Sequence, residues 1–238
     1  MRRKAKAGRN TNHGTVNRKN AKNITELVFI LDRSGSMGGL EADTIGGFNS
    51  LINKQKKEEG GAIISTVLFD DRQEVLHDRI PLKDISLMTE EQYYVRGCTA
   101  LLDAVGETID RISTAHRYAR EEDRPGKTLF VITTDGMENA SRRYTYDKVK
   151  ALVEEHKNRG WEFLFLGANM DAIEVAGRFG IRPERAVNFE CDSAGTKLNY
   201  DVISKAVCTV RRCEGAAQMS LGADWKQEIE ADYKKRHR

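Results

Sequence analysis

Three short segments of this chain carry residues whose types and spacing suit chemistry. The first is Asp32-Arg33-Ser34-Gly35-Ser36, an Asp-x-Ser-x-Ser pattern in a glycine-rich stretch. The second is Thr99, in Arg96-Gly97-Cys98-Thr99-Ala100-Leu101. The third is Asp135, in Thr133-Thr134-Asp135-Gly136-Met137-Glu138-Asn139. Together they offer two carboxylates and three hydroxyls. These are hard oxygen donors with no imidazole or thiolate among them, a set that suits Mg²⁺, Mn²⁺ or Ca²⁺. Alternate spacing in Asp-x-Ser-x-Ser lets several side chains of one tight loop turn toward a single point. Two carboxylates leave a divalent ion with residual positive charge, so such a site wants one more anionic oxygen from outside.

The segments need a frame that brings them together. Leu27-Val28-Phe29-Ile30-Leu31 reads as a short apolar strand buried on both faces, Ala62–Phe69 as a second buried strand, Lys127–Ile132 as a central one, and Phe163–Leu166 and Val187–Phe189 as two more strands. Glu74–Pro81 alternates poorly and reads as an antiparallel edge strand closing a hairpin. Helical spacing marks Ile45, Phe48, Leu51 and Ile52, then Leu101, Val105, Ile109 and Ile112, then Val149, Leu152 and Val153, with Gly160 as a stop. A short helix over Asp171–Phe179, a long one carrying Val202 to Val210, and a terminal one carrying Trp225, Ile229 and Tyr233 complete the series. Gly46-Gly47 inside the first helix costs about 1 kcal/mol per glycine, which close packing on the sheet would explain. The expected fold is a Rossmann-like, doubly wound α/β domain. Its mostly parallel central sheet of about six strands has one antiparallel edge strand and helices on both faces. Right-handed crossovers place the three segments at the carboxyl end of that sheet, where open sheets bind ligands.

The five residues resemble the metal-ion-dependent adhesion site (MIDAS) of the von Willebrand factor type A domain, which reads D-x-S-x-S, then T, then D. Here those positions are Asp32, Ser34, Ser36, Thr99 and Asp135. The resemblance covers roughly residues 24–213, and phrases such as Gly-Cys-Thr-Ala-Leu-Leu-Asp-Ala look most like stand-alone intracellular bacterial or phage members. It implies that Ser34, Ser36 and Thr99 ligate the ion directly or switch with water. It also implies that Asp32 and Asp135 often act through water, and that a partner's Asp or Glu fills the remaining position. It implies no reaction. In intracellular relatives the partner is sometimes an AAA-type ATPase or a component of a stress system. At the variable position, Arg33 reads as a solvated loop residue.

Other chemistries fit less well. A haloacid-dehalogenase-like phosphotransferase also places an Asp after its first strand, but it wants a second carboxylate two residues later, where Ser34 stands. Neither a G-x-x-x-x-G-K-[ST] loop nor a G-x-S-x-G elbow occurs. His77, His116 and His156 pair with no nucleophile motif and read as surface or satisfied core residues. Cys98, Cys191, Cys208 and Cys213 have no zinc spacing and read as free thiols of a reducing cytosol.

The chain has 238 residues and a formal net charge of +3. Residues 1–25 hold eight Lys and Arg and no acid, so the rest is net acidic. Residues 1–24 carry almost no apolar content and are expected to be a disordered basic arm. Loose, salt-sensitive contact with polyanions is the expectation for that arm. Residues 25–213 would form the domain, and 214–238 a helical extension. No apolar run approaches the ~20 residues of a membrane span, and no signal-peptide core is present, so a cytoplasmic location without membrane contact is expected.

Overall fold

A computed structural model describes residues 23–214 and 221–237. The expected basic arm therefore lies almost wholly outside the described residues. Six strands form one sheet: β1 (Thr25–Asp32), β2 (Ala62–Phe69), β3 (Gln73–Pro81), β4 (Lys127–Thr134), β5 (Trp161–Gly167) and β6 (Ala186–Asn188). Their spatial order is β3-β2-β1-β4-β5-β6. All neighbours are parallel except β2 and β3, which form the antiparallel hairpin at one edge.

β1 explains why its run is apolar without alternation: all eight of its residues are buried. Leu27, Phe29 and Leu31 face one cluster, packed by α1 (Glu41–Gln55), α5 (Ser193–Arg212) and α6 (Gln227–Arg236). Val28 and Ile30 face the other, packed by α2 (Leu101–Tyr118), α3 (Tyr146–Asn158) and α4 (Ala172–Arg178). A strand clothed on both sides has no polar face to show. Phe130 of β4 anchors the second cluster, stacked on Trp161 and Phe163 with ring centroids 5.3 and 4.9 Å away.

Two expectations about helices change. Gly47 does permit close approach, but to α5 rather than to the sheet: a Cβ there would lie 2.2 Å from the buried Tyr200 ring. Gly46 faces open space, and nothing in the structure explains it. The terminal stripe is real at Ile229, which is buried in the first cluster. Trp225, however, belongs to a 3-10 turn over Ala223–Lys226 rather than to α6. The last strand also begins one residue earlier than the apolar pattern suggests, at Ala186.

His77 lies 3.0 Å from the Thr66 hydroxyl and stacks on Phe48, and His116 bonds the buried Glu26. Nδ1 of His156 meets the Leu152 carbonyl, while its buried Nε2 has no partner. The four cysteines are free.

Candidate metal centre

The carboxyl ends of β1 and β4 are neighbours in the sheet, and the start of α2 lies across from them. Asp32 ends β1 and is buried. Its Oδ1 accepts the Ser34 N–H at 2.7 Å, which folds the loop back on itself. Its Oδ2 accepts the Thr134 hydroxyl at 2.5 Å, and its carbonyl accepts the Tyr93 hydroxyl at 2.6 Å. The loop is then pinned from both sides. The Arg33 N–H donates to the Phe69 carbonyl at 2.8 Å, and the Gly35 N–H donates to the Gly97 carbonyl at 3.2 Å.

Those anchors set the hydroxyls. Ser34 Oγ and Ser36 Oγ lie 3.1 Å apart, and Ser36 Oγ donates to Asp135 Oδ1 at 2.6 Å. Thr99 is held by Asn139, whose Oδ1 accepts the Thr99 N–H at 2.9 Å and whose own N–H donates to the Thr99 carbonyl at 3.0 Å. A Cβ placed on Gly136 would lie 2.5 Å from Thr99 Oγ1, 3.2 Å from Ser36 Oγ and 3.4 Å from Ser34 Oγ. Three hydroxyls from two distant segments thus close around one small space that only a glycine leaves open. Asp32, Ser34, Thr99 and Asp135 are buried, whereas Ser36 is exposed. Solvent therefore reaches the cluster from the Ser36 side, beside the exposed Met137.

The electrostatics match a cation site. Burial pushes the Asp32 carboxyl up to about 6, against the pull of the Thr134 and Ser34 hydrogen bonds, and the Asp135 charge pushes the same way as burial. A divalent ion would relieve that burden on Asp32. Among the described residues no three His, Cys, Asp or Glu side chains group as a metal cluster, so the hydroxyls are essential to any ion held here. The donor set fits a hard cation. Gly136→Ala tests that fit. Its methyl would take the space the hydroxyls enclose, so Mn²⁺ affinity measured by calorimetry is expected to fall at least about tenfold.

Arg33 corrects an expectation. It is fully buried, not solvated. Its Nε donates to Asp70 Oδ2 at 2.9 Å, and a terminal nitrogen lies 2.9 Å from Glu74. Arg96 shares Asp70 Oδ2 at 2.7 Å. Burial pushes the Asp70 carboxyl up, but the Arg96 and backbone hydrogen bonds and the Arg33 charge hold it below the usual range. Arg33 thus ties the metal loop to the β2–β3 hairpin and points no charge at a partner. Asp171 caps α4, accepting the Ile173 and Glu174 N–H groups, so it does not line the site.

Sequence reasoning did not assign supporting roles to Thr134, Tyr93, Gly136 and Cys191. The Thr-Thr-Asp-Gly run held a signal for two of them. Cys191 had none: its thiol, 3.4 Å from Asp135 Oδ2, arrives from the loop before α5. Burial and the Asp135 charge push that thiol up to about 12. Glu138 clamps the other wall, accepting the Leu102 N–H at 2.8 Å and the Ser141 N–H at 2.8 Å.

No family model and no curated protein matches the sequence. Solved structures do match in fold. The vWF domain of the type V pili tip protein Mfa5 from Porphyromonas gingivalis is 13% identical with a TM-score of 0.56, covering 77% of this chain and 94% of that one. The pilus adhesin SpaC from Lactobacillus rhamnosus GG is 10% identical with a TM-score of 0.56, covering 78% of this chain and 30% of that one. Proximal thread matrix protein 1 from the mussel byssus, in a form with a zinc-occupied MIDAS motif, is 13% identical with a TM-score of 0.53, covering 77% of this chain. This chain spans 46% of the mussel protein's length. From its sheet order, its helical layers and these likenesses, the chain has the fold of a von Willebrand factor type A domain.

Proposed function

We propose that this chain is a metal-dependent protein–protein interaction module. Asp32, Ser34, Ser36, Thr99 and Asp135 hold a divalent cation, Mg²⁺ in the first instance, with Mn²⁺ or Ca²⁺ as alternatives. When bound, the ion supplies a Lewis-acidic position toward solvent for a carboxylate of another protein. The observation that carries this reading is the closure of the Ser34, Ser36 and Thr99 hydroxyls around Gly136. The exposed Ser36 side gives a partner's Asp or Glu its approach. The zinc-occupied MIDAS of the mussel protein supports a divalent ion in this fold.

The working unit is residues 25–213, with 214–238 as an extension. An AAA-type ATPase or a stress-system component is the partner class we favour, in the cytoplasm of a bacterium, by resemblance to stand-alone intracellular members of the family. No helix among the described residues is long and apolar enough to cross a membrane. Residues 1–25 add weak polyanion contact of their own.

The module is proposed to be non-enzymatic. Asp32 commits both carboxylate oxygens to Ser34 and Thr134, which positions it poorly as a nucleophile. The test compares wild type with Asp32→Ala, each in 5 mM MgCl₂ and in EDTA. Capture of protein from cell lysate is expected only for wild type with Mg²⁺, and p-nitrophenyl phosphate turnover is expected at background in all four. Mg²⁺-dependent phosphate-ester hydrolysis lost in Asp32→Asn would overturn the reading and make Asp32 a nucleophile.

A further inference from the structure

Beside the metal centre lies a cleft of about 750 Å³. It shares its walls with the site. Gly97 and Cys98, just before Thr99, form one side, and the run from Asn139 to Arg142 forms another. Asn139 is the residue that clasps the Thr99 backbone. Arg72, in the turn of the β2–β3 hairpin, closes the third side. No aromatic and no large aliphatic side chain lines this space, so its recognition must be polar.

What the cleft offers depends on which charges are already spent. Asp103 gives its carboxylate oxygens to the N–H groups of Arg142, Arg143 and Tyr144, at 2.9, 2.9 and 2.8 Å. Glu138 accepts the N–H groups of Leu102, Ala140 and Ser141. Arg143 is paired with Glu107, and Arg96 with the buried Asp70. Asp71 is left with Arg72, loosely: they lie 3.8 Å apart, and the Arg72 side chain is 81% exposed. Arg142 is exposed, and among the described residues its guanidinium meets no acceptor. Counted formally, acids and bases here nearly cancel. Counted by what is unspent, a ligand meets two arginines and one loosely held carboxylate. A guanidinium presents five donors in a planar fork that matches a carboxylate.

We propose that this cleft is a second docking point for the partner, which is an acidic segment carrying at least two carboxylates. One goes to the ion. Another, farther along the same segment, is received by Arg142, with Arg72 on the hairpin side. The proposal rests on the metal-centre reading, because the ion fixes the first carboxylate. An ion with residual charge takes any carboxylate; the guanidinium beside it selects the segments that carry a second one in reach. Once the first contact is made the second is intramolecular, so two weak contacts on one segment suffice for capture.

The test uses the full chain and two peptides capped by trifluoroacetyl and amide groups, hexa-aspartate and Gly-Gly-Asp-Gly-Gly-Gly. Binding is read by fluorine NMR titration in 150 mM KCl, where distant charges are screened, with 10 mM MgCl₂ or with EDTA. Both peptides are expected to bind wild type only with Mg²⁺, hexa-aspartate the more tightly. Arg142→Ala is expected to weaken hexa-aspartate about fivefold, the upper scale for an exposed ion pair, and to leave the single-carboxylate peptide unchanged. Comparing variant with wild type for each peptide removes the advantage that six carboxylates have by number alone. Arg143→Ala removes the same charge one residue away, where Glu107 already holds it, and should weaken hexa-aspartate far less. Alanine at 142 keeps the N–H that Asp103 accepts, so the loop stays in place. Three results would each overturn the proposal: no loss for hexa-aspartate in Arg142→Ala, equal loss for both peptides, or as large a loss in Arg143→Ala. In each of these, Mg²⁺-dependent binding of both peptides to wild type would leave the metal reading standing. Binding that is indifferent to Mg²⁺ and EDTA would overturn the metal reading, and this proposal with it.

Discussion

Asp32→Asn is expected to raise the melting temperature of the protein in EDTA at pH 7.5 and to erase its response to Mg²⁺. The carboxyl lies at about 6 in the folded chain against an ordinary value of 3.8. For an acid raised in this way, the favourable contribution is complete below the unfolded value and is lost as pH rises through the folded one. At pH 7.5 the metal-free protein therefore carries the full cost, about 3 kcal/mol at roughly 1.4 kcal/mol per pH unit. Asparagine removes that cost and keeps the geometry. Its oxygen still accepts the Ser34 N–H, and its amide donates to Thr134, whose hydroxyl turns to the Gly136 carbonyl 3.1 Å away. A gain of about 5–10 °C follows for a domain of this size, with nothing gained at pH 4. In 10 mM MgCl₂ wild type should rise while the variant stays, so their order narrows or inverts. Because Mg²⁺ dehydrates reluctantly and the site offers few charges, wild-type affinity without a partner should be modest, about millimolar. A variant less stable than wild type in EDTA at pH 7.5 would mean the carboxylate is not burdened by its burial.

Arg33→Ala is expected to cost about 3 kcal/mol, the low end for breaking a buried ion pair, because Arg96 still holds Asp70. It would leave Asp70, fully buried, with Arg96 as its one remaining side-chain cation, and Arg96 is part-exposed. Urea unfolding at pH 7 should show the loss as a lower midpoint. The effect should shrink in acid. Asp70 is held below its ordinary value in the fold, so its contribution is present above the usual carboxylate range and is lost as pH falls below it. In the Arg33→Ala/Asp70→Ala double variant the two losses should be far from additive, because one charge pair is removed twice. Metal affinity should fall less than stability does, since alanine keeps the backbone bonds that fasten residue 33 to Phe69 and Arg96.

How much of this was legible in the sequence depended on whether a residue's partners were local. β1 and β4 were plain because a strand covered on both faces must be apolar throughout, and Asp32 and Asp135 could be placed because they stand at the carboxyl ends of those two strands. Arg33 was misread because an arginine in a glycine-rich loop ordinarily points to water. Only the tertiary arrival of Asp70 and Glu74 from the hairpin makes its burial tolerable. Gly47 was read as contacting the sheet because Tyr200, more than 150 residues away, gave no local sign. Cys191 was silent for the same reason: its contact with Asp135 crosses 56 positions. The start of β6 was misplaced because three residues are too few to set a period.

The order β3-β2-β1-β4-β5-β6 has a consequence for how the chain is made. β1, β2 and β3 leave the ribosome first and can pair at once. The flank of β1 that will receive β4 then stays bare while residues 82–126 are synthesised. At 5–20 residues per second, that interval lasts about 2–9 s. During it, Leu27 to Leu31 present an unpaired, wholly apolar edge, the kind that recruits other strands. Nascent chains stalled before residue 127 should therefore lean on chaperones, and chains stalled well past residue 134 should not. The two carboxylate ligands would also be separated in time: Asp32 is translated early and Asp135 only as the gap closes. A cation held at the proposed site would thus mark the end of the vulnerable interval.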